Sequence, residues 1–196
     1  MTVPSSFLTT PLAHRALHDL SIGRPENSRA AIRAAIDAGY GIEIDLQLSA
    51  DGQAMVFHDY ALDRLTPEKG AIRLRSAAEL ADIPLIGGDE TIPSLPEVLE
   101  LVDGQVPLLV EFKDQDGAMG PDIGPLEAAA AEALGAYAGP LAVMSFNPHS
   151  VRELARLLPQ TPRGLTTSAY RYEDWPLPKR TCDRLRDIPD YNDCGA

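Results

Sequence analysis

The sequence predicts an α/β protein built on a mostly parallel sheet. Short apolar runs alternate with Ala- and Leu-rich amphipathic stretches along the chain, the pattern of strands joined by helical crossovers. One run, Ile42 to Leu48, alternates strictly: Glu43, Asp45 and Gln47 fall between Ile42, Ile44, Leu46 and Leu48, the period of two of a strand. Neither Gly-x-Gly-x-x-Gly nor a phosphate-loop motif occurs, which argues against a nucleotide-binding version of such a sheet. A doubly wound sheet and a barrel are both compatible with the alternation.

The elements follow in order. Leu12 to Arg15 is a short strand, and Asn27, after Pro25 and Glu26, is placed as the N-cap of a helix whose apolar face carries Ile32, Ala35 and Ile36. Gly39 stands where that helix ends. Ile42 to Leu48 is followed by an Asp51-Gly52 turn and a second arm, Gln53 to His58. From Tyr60 to Thr91 the pattern breaks at Pro67, Gly70, Pro84, Gly87 and Gly88, so the chain makes an excursion, an insertion at about 60–93, with one short helix near Ala77 to Leu80. Ser94 caps a helix to Val102; Pro107 to Lys113 is a strand, Leu126 to Tyr137 a helix, Leu141 to Ser145 a strand, Ser150 to Leu158 a helix and Arg163 to Thr167 a strand. Beyond Ser168 the chain is polar and Pro-rich, with one helix near Cys182 to Asp187.

Composition narrows the function. The 196 residues suit one domain, residues 1–196, and 44% hydrophobic with 23% charged residues is ordinary globular usage. Seventeen Lys and Arg against twenty-nine Asp and Glu leave a net charge of −12, so no global field attracts nucleic acid or anionic lipid. Cys182 and Cys194 are too few for a disulfide scaffold and are expected as free thiols. Met1 to Thr10 lacks the basic and apolar regions of a signal peptide, and no apolar window reaches the length of a membrane span. A cytoplasmic location is the expectation.

Chemistry concentrates at strand ends. Glu43 and Asp45, two apart on one strand, project from the same face. An exposed strand face would tolerate them, but parallel strands in α/β folds are covered on both sides, and paired buried acids need a cation such as Mg²⁺ or Ca²⁺. Glu111 and Lys113 repeat the arrangement at the end of Leu108-Leu109-Val110; for this pair alone, a strand emerging into solvent is the simpler expectation. His14-Arg15 and His58-Asp59 also follow apolar runs. Strand C-terminal ends are where α/β enzymes place their chemistry. Two histidines can divide acid and base roles, and Arg15 and Lys113 can hold a phosphate. The set suits metal-assisted phosphoryl transfer. His18 and Asp19 fall in the first loop as weaker candidates, and no Gly-x-Ser-x-Gly supports a serine hydrolase.

Together the stretches Ala13-His14-Arg15, Pro25-Glu26-Asn27-Ser28, Gly41-Ile42-Glu43-Ile44-Asp45, Asp51-Gly52, Val56-Phe57-His58-Asp59, Leu62-Asp63-Arg64-Leu65-Thr66, Ile92-Pro93-Ser94-Leu95, Val110-Glu111-Phe112-Lys113 and Ser145-Phe146 resemble the glycerophosphodiester phosphodiesterases, metal-dependent TIM barrels. The resemblance implies a (β/α)8-type barrel and hydrolysis of a glycerophosphodiester to sn-glycerol 3-phosphate and an alcohol. It implies metal binding by Glu43, Asp45 and Glu111, acid–base roles for His14 and His58, and phosphate binding by Arg15 and Lys113. Two features depart from it: Ala16 stands where the family usually has Gly, and only five or six strands are expected before the chain ends, so the barrel reads as truncated. Trp175 lies in a Pro-rich loop and does not match the family's late Trp-containing strand. A phospholipase D-type headgroup enzyme and an inactive relic of the barrel are the alternatives, and open barrel edges are expected to favour self-association.

Overall fold

The structure, a computed structural model, describes residues 2–186. After a single helical turn, α1 (Ser6–Thr9), come β1 (Leu12–Ala13) and α2 (Arg29–Asp37). A hairpin of β2 (Gly41–Leu48) and β3 (Ala54–Val56) follows, then α3 (Ala77–Asp82) and α4 (Leu95–Val102). β4 (Leu108–Phe112), α5 (Pro125–Leu134), β5 (Leu141–Ser145), α6 (Pro148–Leu157), β6 (Arg163–Leu165) and α7 (Lys179–Arg186) complete it.

One sheet runs β1-β2-β4-β5-β6, all parallel, with β3 antiparallel on the end of β2. Sequential parallel strands alternating with helices form the wall of a TIM-type barrel; the described residues supply five of its parallel strands. At Gly41, the first residue of β2, a Cβ would lie 2.5 Å from the Leu12 side chain of β1 and 3.1 Å from the Pro107 carbonyl oxygen just before β4.

The sheet sorts its residues by face. Register pairs Ile42 with Leu108, Ile44 with Val110 and Leu46 with Phe112. These side chains are fully buried together with Ile32 of α2, Val98 of α4, Leu126 of α5 and Leu154 of α6, at about 1.5–3 kcal/mol for each large side chain removed from water. The opposite face of β2 carries Glu43, Asp45 and Gln47, also buried. The alternation of β2 therefore does not mark a solvated face: both sides are covered, as in a parallel sheet.

Local signals set the helix starts. Ser94 accepts from the Glu97 amide while Glu97 reaches back to the Ser94 amide, a capping box that satisfies two otherwise unpaired N–H groups. Ser76 and Glu79 do the same for α3. The cap of α2 differs from the sequence expectation: it is Ser28, whose hydroxyl accepts from the Ala31 amide, and Asn27 stands one residue earlier in the left-handed region at φ 57°. The excursion after β3 closes on its own small core, in which Leu62, Ile72, Leu80 and Ile92 surround Met55 and Phe57 of the hairpin arm. Strand and helix ends move by a few residues from expectation: β1 stops at Ala13, α5 at Leu134 and β6 at Leu165. Asp187 and Cys194 lie outside the described residues; Cys182 is a buried free thiol.

Candidate active site

Register brings the acids together. Asp45 lies directly opposite Glu111 across β2 and β4, and Glu43 precedes Asp45 by two on the same face. One oxygen from each of Glu43, Asp45 and Glu111 lies within 4.8 Å of the others. All three are buried, Glu111 at 6% exposure, so its strand does not simply emerge into solvent. Burial, and then the neighbouring Asp45 carboxylate, push Glu43 up to about 7, and its Oε1 has no hydrogen-bond partner among the described residues. A buried carboxylate cluster with an unpaired oxygen is a donor set of the kind hard divalent cations take.

The basic groups of the first loop and of β4 are held by these acids. Lys113 Nζ lies 2.7 Å from Asp45 Oδ1 and 2.6 Å from Glu111 Oε1. Arg15 donates from its backbone to Glu43 Oε2 at 2.9 Å, from Nη1 to Glu26 Oε1 at 3.0 Å, and places Nε 3.7 Å from Asp45 Oδ2. The turn after β1 that aims the Arg15 amide at Glu43 is left-handed at Arg15 (φ 56°) and Ala16 (φ 63°). At Ala16, where the resembling family usually has Gly, a methyl thus occupies a conformation that costs an L-residue about 1–2 kcal/mol. His14 Nε2 is 4.0 Å from Glu43 Oε2; burial and then the Arg15 charge hold its pKa below the usual histidine value.

His58 arrives by the hairpin. β3 pairs with β2 from Leu46 to Leu48, the Phe57 amide donates to the Asp45 carbonyl at 3.0 Å, and the Gln47 amide side chain donates to the His58 carbonyl at 3.1 Å. Asp59 Oδ1 is 2.6 Å from His58 Nδ1. Asp59 is fixed in turn by Arg64, whose Nε and Nη2 donate to it at 2.7 and 2.9 Å. Burial pushes the Asp59 carboxyl up, but the bonds from Arg64 and His58 outweigh it and hold the group below the usual carboxylate range. Arg64 also donates to both Glu26 oxygens, at 3.0 and 2.9 Å. One guanidinium therefore joins the carboxylate behind Arg15 to the carboxylate behind His58.

All seven expected site residues, His14, Arg15, Glu43, Asp45, His58, Glu111 and Lys113, thus gather at the loop ends of β1, β2, β3 and β4. Sequence reasoning missed four that support them. Asn27 Nδ2 donates to Asp45 Oδ2 at 2.9 Å and its Oδ1 accepts from the Asp45 amide at 3.3 Å; Glu26, Asp59 and Arg64 form the clamp. His18 and Asp19 stay outside: Asp19 accepts from the Ser21 amide and hydroxyl as a local cap.

A barrel wall with acids and two histidines gathered at the loop ends of its strands is the setting of an enzyme site. The comparisons make this specific. A model of the glycerophosphoryl diester phosphodiesterase family matches residues 14–187, and the chain belongs to that family. It is 32% identical, over 182 residues covering 88% of the chain and 72% of the relative, to a glycerophosphodiester phosphodiesterase of Caldanaerobacter subterraneus. Among solved structures, a phosphodiesterase from Oleispira antarctica in complex with its product sn-glycerol 3-phosphate superposes with a TM-score of 0.71 at 29% identity, covering 93% of this chain and 74% of that one. A glycerophosphodiester phosphodiesterase from Agrobacterium tumefaciens gives 0.63 at 27% identity, covering 79% and 65%. The chain thus spans between 65% and 74% of the length of these relatives.

Proposed function

We propose that the protein hydrolyses glycerophosphodiesters to sn-glycerol 3-phosphate and an alcohol, with a divalent cation, Mg²⁺ or Ca²⁺, held by Glu43, Asp45 and Glu111. The observation that carries this reading is the convergence of those three buried carboxylates within 4.8 Å beside two histidines and two cations in a phosphodiesterase family. When bound, the ion neutralises charge developing on the phosphoryl oxygens. The chain's own groups do the rest. Arg15 and Lys113 bind the phosphate, Arg15 in an orientation set by Glu26. His14 takes the proton of a substrate hydroxyl beside the phosphate, whose oxygen attacks phosphorus to form a cyclic phosphodiester as the P–O bond to the alcohol breaks; water then opens the ring to give sn-glycerol 3-phosphate. His58 gives a proton to the leaving alcohol, because it lines the cavity open to that side and because the Asp59 contact at Nδ1 leaves Nε2 for the substrate. Gln47 holds its backbone carbonyl and Asp59 its ring.

Among the described residues no helix is long and apolar enough to cross a membrane; the small-molecule substrate is supported by the sn-glycerol 3-phosphate bound to the Oleispira antarctica phosphodiesterase. β1 and β6 each have one strand partner among the described residues, and we propose that these edges support self-association.

The test is release of sn-glycerol 3-phosphate from glycerophosphocholine by the purified chain. Turnover should vanish with chelator and return with Mg²⁺ or Ca²⁺. A folded, ion-loaded protein that cleaves no glycerophosphodiester overturns the reading; one that cleaves lysophosphatidylcholine alone is a lipid-headgroup enzyme instead.

A further inference from the structure

Beside the acids, on the side to which His58 faces, lies a cavity of about 480 Å³. Glu111, Lys113 and His58 form its inner edge. Its walls are different in character: Tyr60 from the excursion, Met119 from the loop after β4, Phe146 after β5 and Trp175 from the segment before α7. Trp175 is placed firmly. Its ring centroid is 5.2 Å from that of Phe146 and 5.0 Å from that of Tyr170, and its indole N–H donates to Ser168 Oγ at 3.2 Å. A second cavity of about 420 Å³ shares Tyr60, Asp114, Met119 and Trp175 and continues outward past Asp174.

We propose that this aromatic cavity is the subsite for the leaving alcohol and that it selects an alcohol bearing a quaternary ammonium group. The inference rests on the phosphodiesterase reading and adds the substrate class. Three properties of the wall carry it. The first is position: the cavity opens directly from Glu111, Lys113 and His58, so a diester whose phosphate lies among these groups extends its alcohol toward Trp175. The second is charge: Asp59 and Asp114 also line the wall, and its one lysine is engaged by Asp45 and Glu111. An anionic alcohol is therefore disfavoured and a cationic one favoured.

The third property is hydrogen bonding. A primary ammonium brings three donors and a polyol brings several, and each needs a partner once out of water. The carboxylates are already engaged. Asp114 accepts from the Asp116 and Met119 amides and from Asn147 Nδ2, at 3.2, 3.0 and 2.7 Å, while Asp59 is held by Arg64 and His58. A quaternary ammonium has no donor to satisfy. It spreads its charge over methyl groups and is attracted by aromatic faces, Trp most strongly.

Trp175 is the single tryptophan of the chain, so its fluorescence reports occupancy without any turnover. The experiment titrates choline, ethanolamine and glycerol into the intact protein and follows that emission. In parallel it measures kcat/KM for glycerophosphocholine, glycerophosphoethanolamine and glycerophosphoglycerol with the wild type, Trp175→Leu and Trp175→Phe. Choline should change the emission saturably and at least about tenfold more tightly than ethanolamine, and the choline ester should be preferred by a similar factor. Trp175→Leu keeps apolar bulk without a π face and should reduce that preference about tenfold, whereas Trp175→Phe should keep most of it. Equal responses to choline and ethanolamine, or an unchanged preference in a folded Trp175→Leu protein, overturn the subsite. Hydrolysis of all three esters without preference removes the subsite and leaves the reaction standing; a tight choline response without hydrolysis of any ester does the reverse.

Discussion

Replacing Asn27 tests how much of the buried carboxylate cluster depends on a residue that is not part of it. Asn27 is 2% exposed, holds φ at 57° and makes two bonds to Asp45, one to its carboxylate and one from its amide. Asn27→Ala removes a hydrogen bond to a charged group, worth about 1.5–3 kcal/mol, and takes the acceptor from a backbone amide, worth about 1 kcal/mol more. It also places a methyl in the left-handed region, which Asn tolerates better, at a cost of about 1 kcal/mol. The expected loss is about 3–5 kcal/mol, a large share of the 5–15 kcal/mol of a typical domain. Asn27→Gly loses the same bonds without the left-handed strain, so it should lie about 1 kcal/mol above Asn27→Ala. Urea denaturation followed by circular dichroism, in the presence of chelator, measures both. Calorimetric titration with Mg²⁺ should also show weaker binding, because Asp45 is no longer pinned. A loss under about 1 kcal/mol for Asn27→Ala, or a glycine variant less stable than the alanine one, would refute the reasoning.

Three further perturbations follow from the same geometry. His58→Ala should lower turnover by about 10²–10⁴-fold with the fold retained; near-full activity removes His58 from the mechanism. Arg64→Ala should cost little stability, since the side chain is half exposed and such pairs contribute about 0–1 kcal/mol, yet it should lower kcat about tenfold. Arg64→Lys should recover little of it, because an ammonium lacks the planar fork that spans Asp59 and Glu26; full recovery would mean the charge alone matters. Lys113→Met leaves Asp45 and Glu111 without their counter-ion and should lower stability by about 2–4 kcal/mol, less than a fully buried pair because Lys113 is partly exposed. The loss should shrink when a divalent cation is added, so an equal drop in Tm with and without Mg²⁺ counts against a shared cation site.

The parts of this molecule that sequence periodicity reached are those set by short-range pattern. The alternation of Ile42 to Leu48 placed Glu43 and Asp45 on one face, and the apolar run before Glu111 placed it at a strand end; the ladder then brought Asp45 opposite Glu111. Asn27 was misplaced because Asn is both a good N-cap and the side chain that best tolerates left-handed backbone, and the neighbouring Ser28 is an equally good cap. Nothing local says which of the two turns inward. The clamp was missed for a different reason: Arg64 meets Glu26 across 38 positions of sequence, a pairing created by how the excursion folds back. The buried wall around Trp175 was hidden too, because a Pro-rich polar segment carries no period that would reveal the packing of Trp175 on Phe146 and Tyr170.

The excursion's separate core has a consequence for how the enzyme fails under heat. Units with their own packing open at lower free energy than the whole domain, and the core of Leu62, Ile72, Leu80 and Ile92 also encloses Met55 and Phe57, next to His58. Opening that unit withdraws Arg64 and loosens the hairpin while the barrel wall and its acids persist. Inactivation is then expected as a local melting with its own midpoint, below that of the ellipticity, in which the acid cluster outlasts the placement of His58.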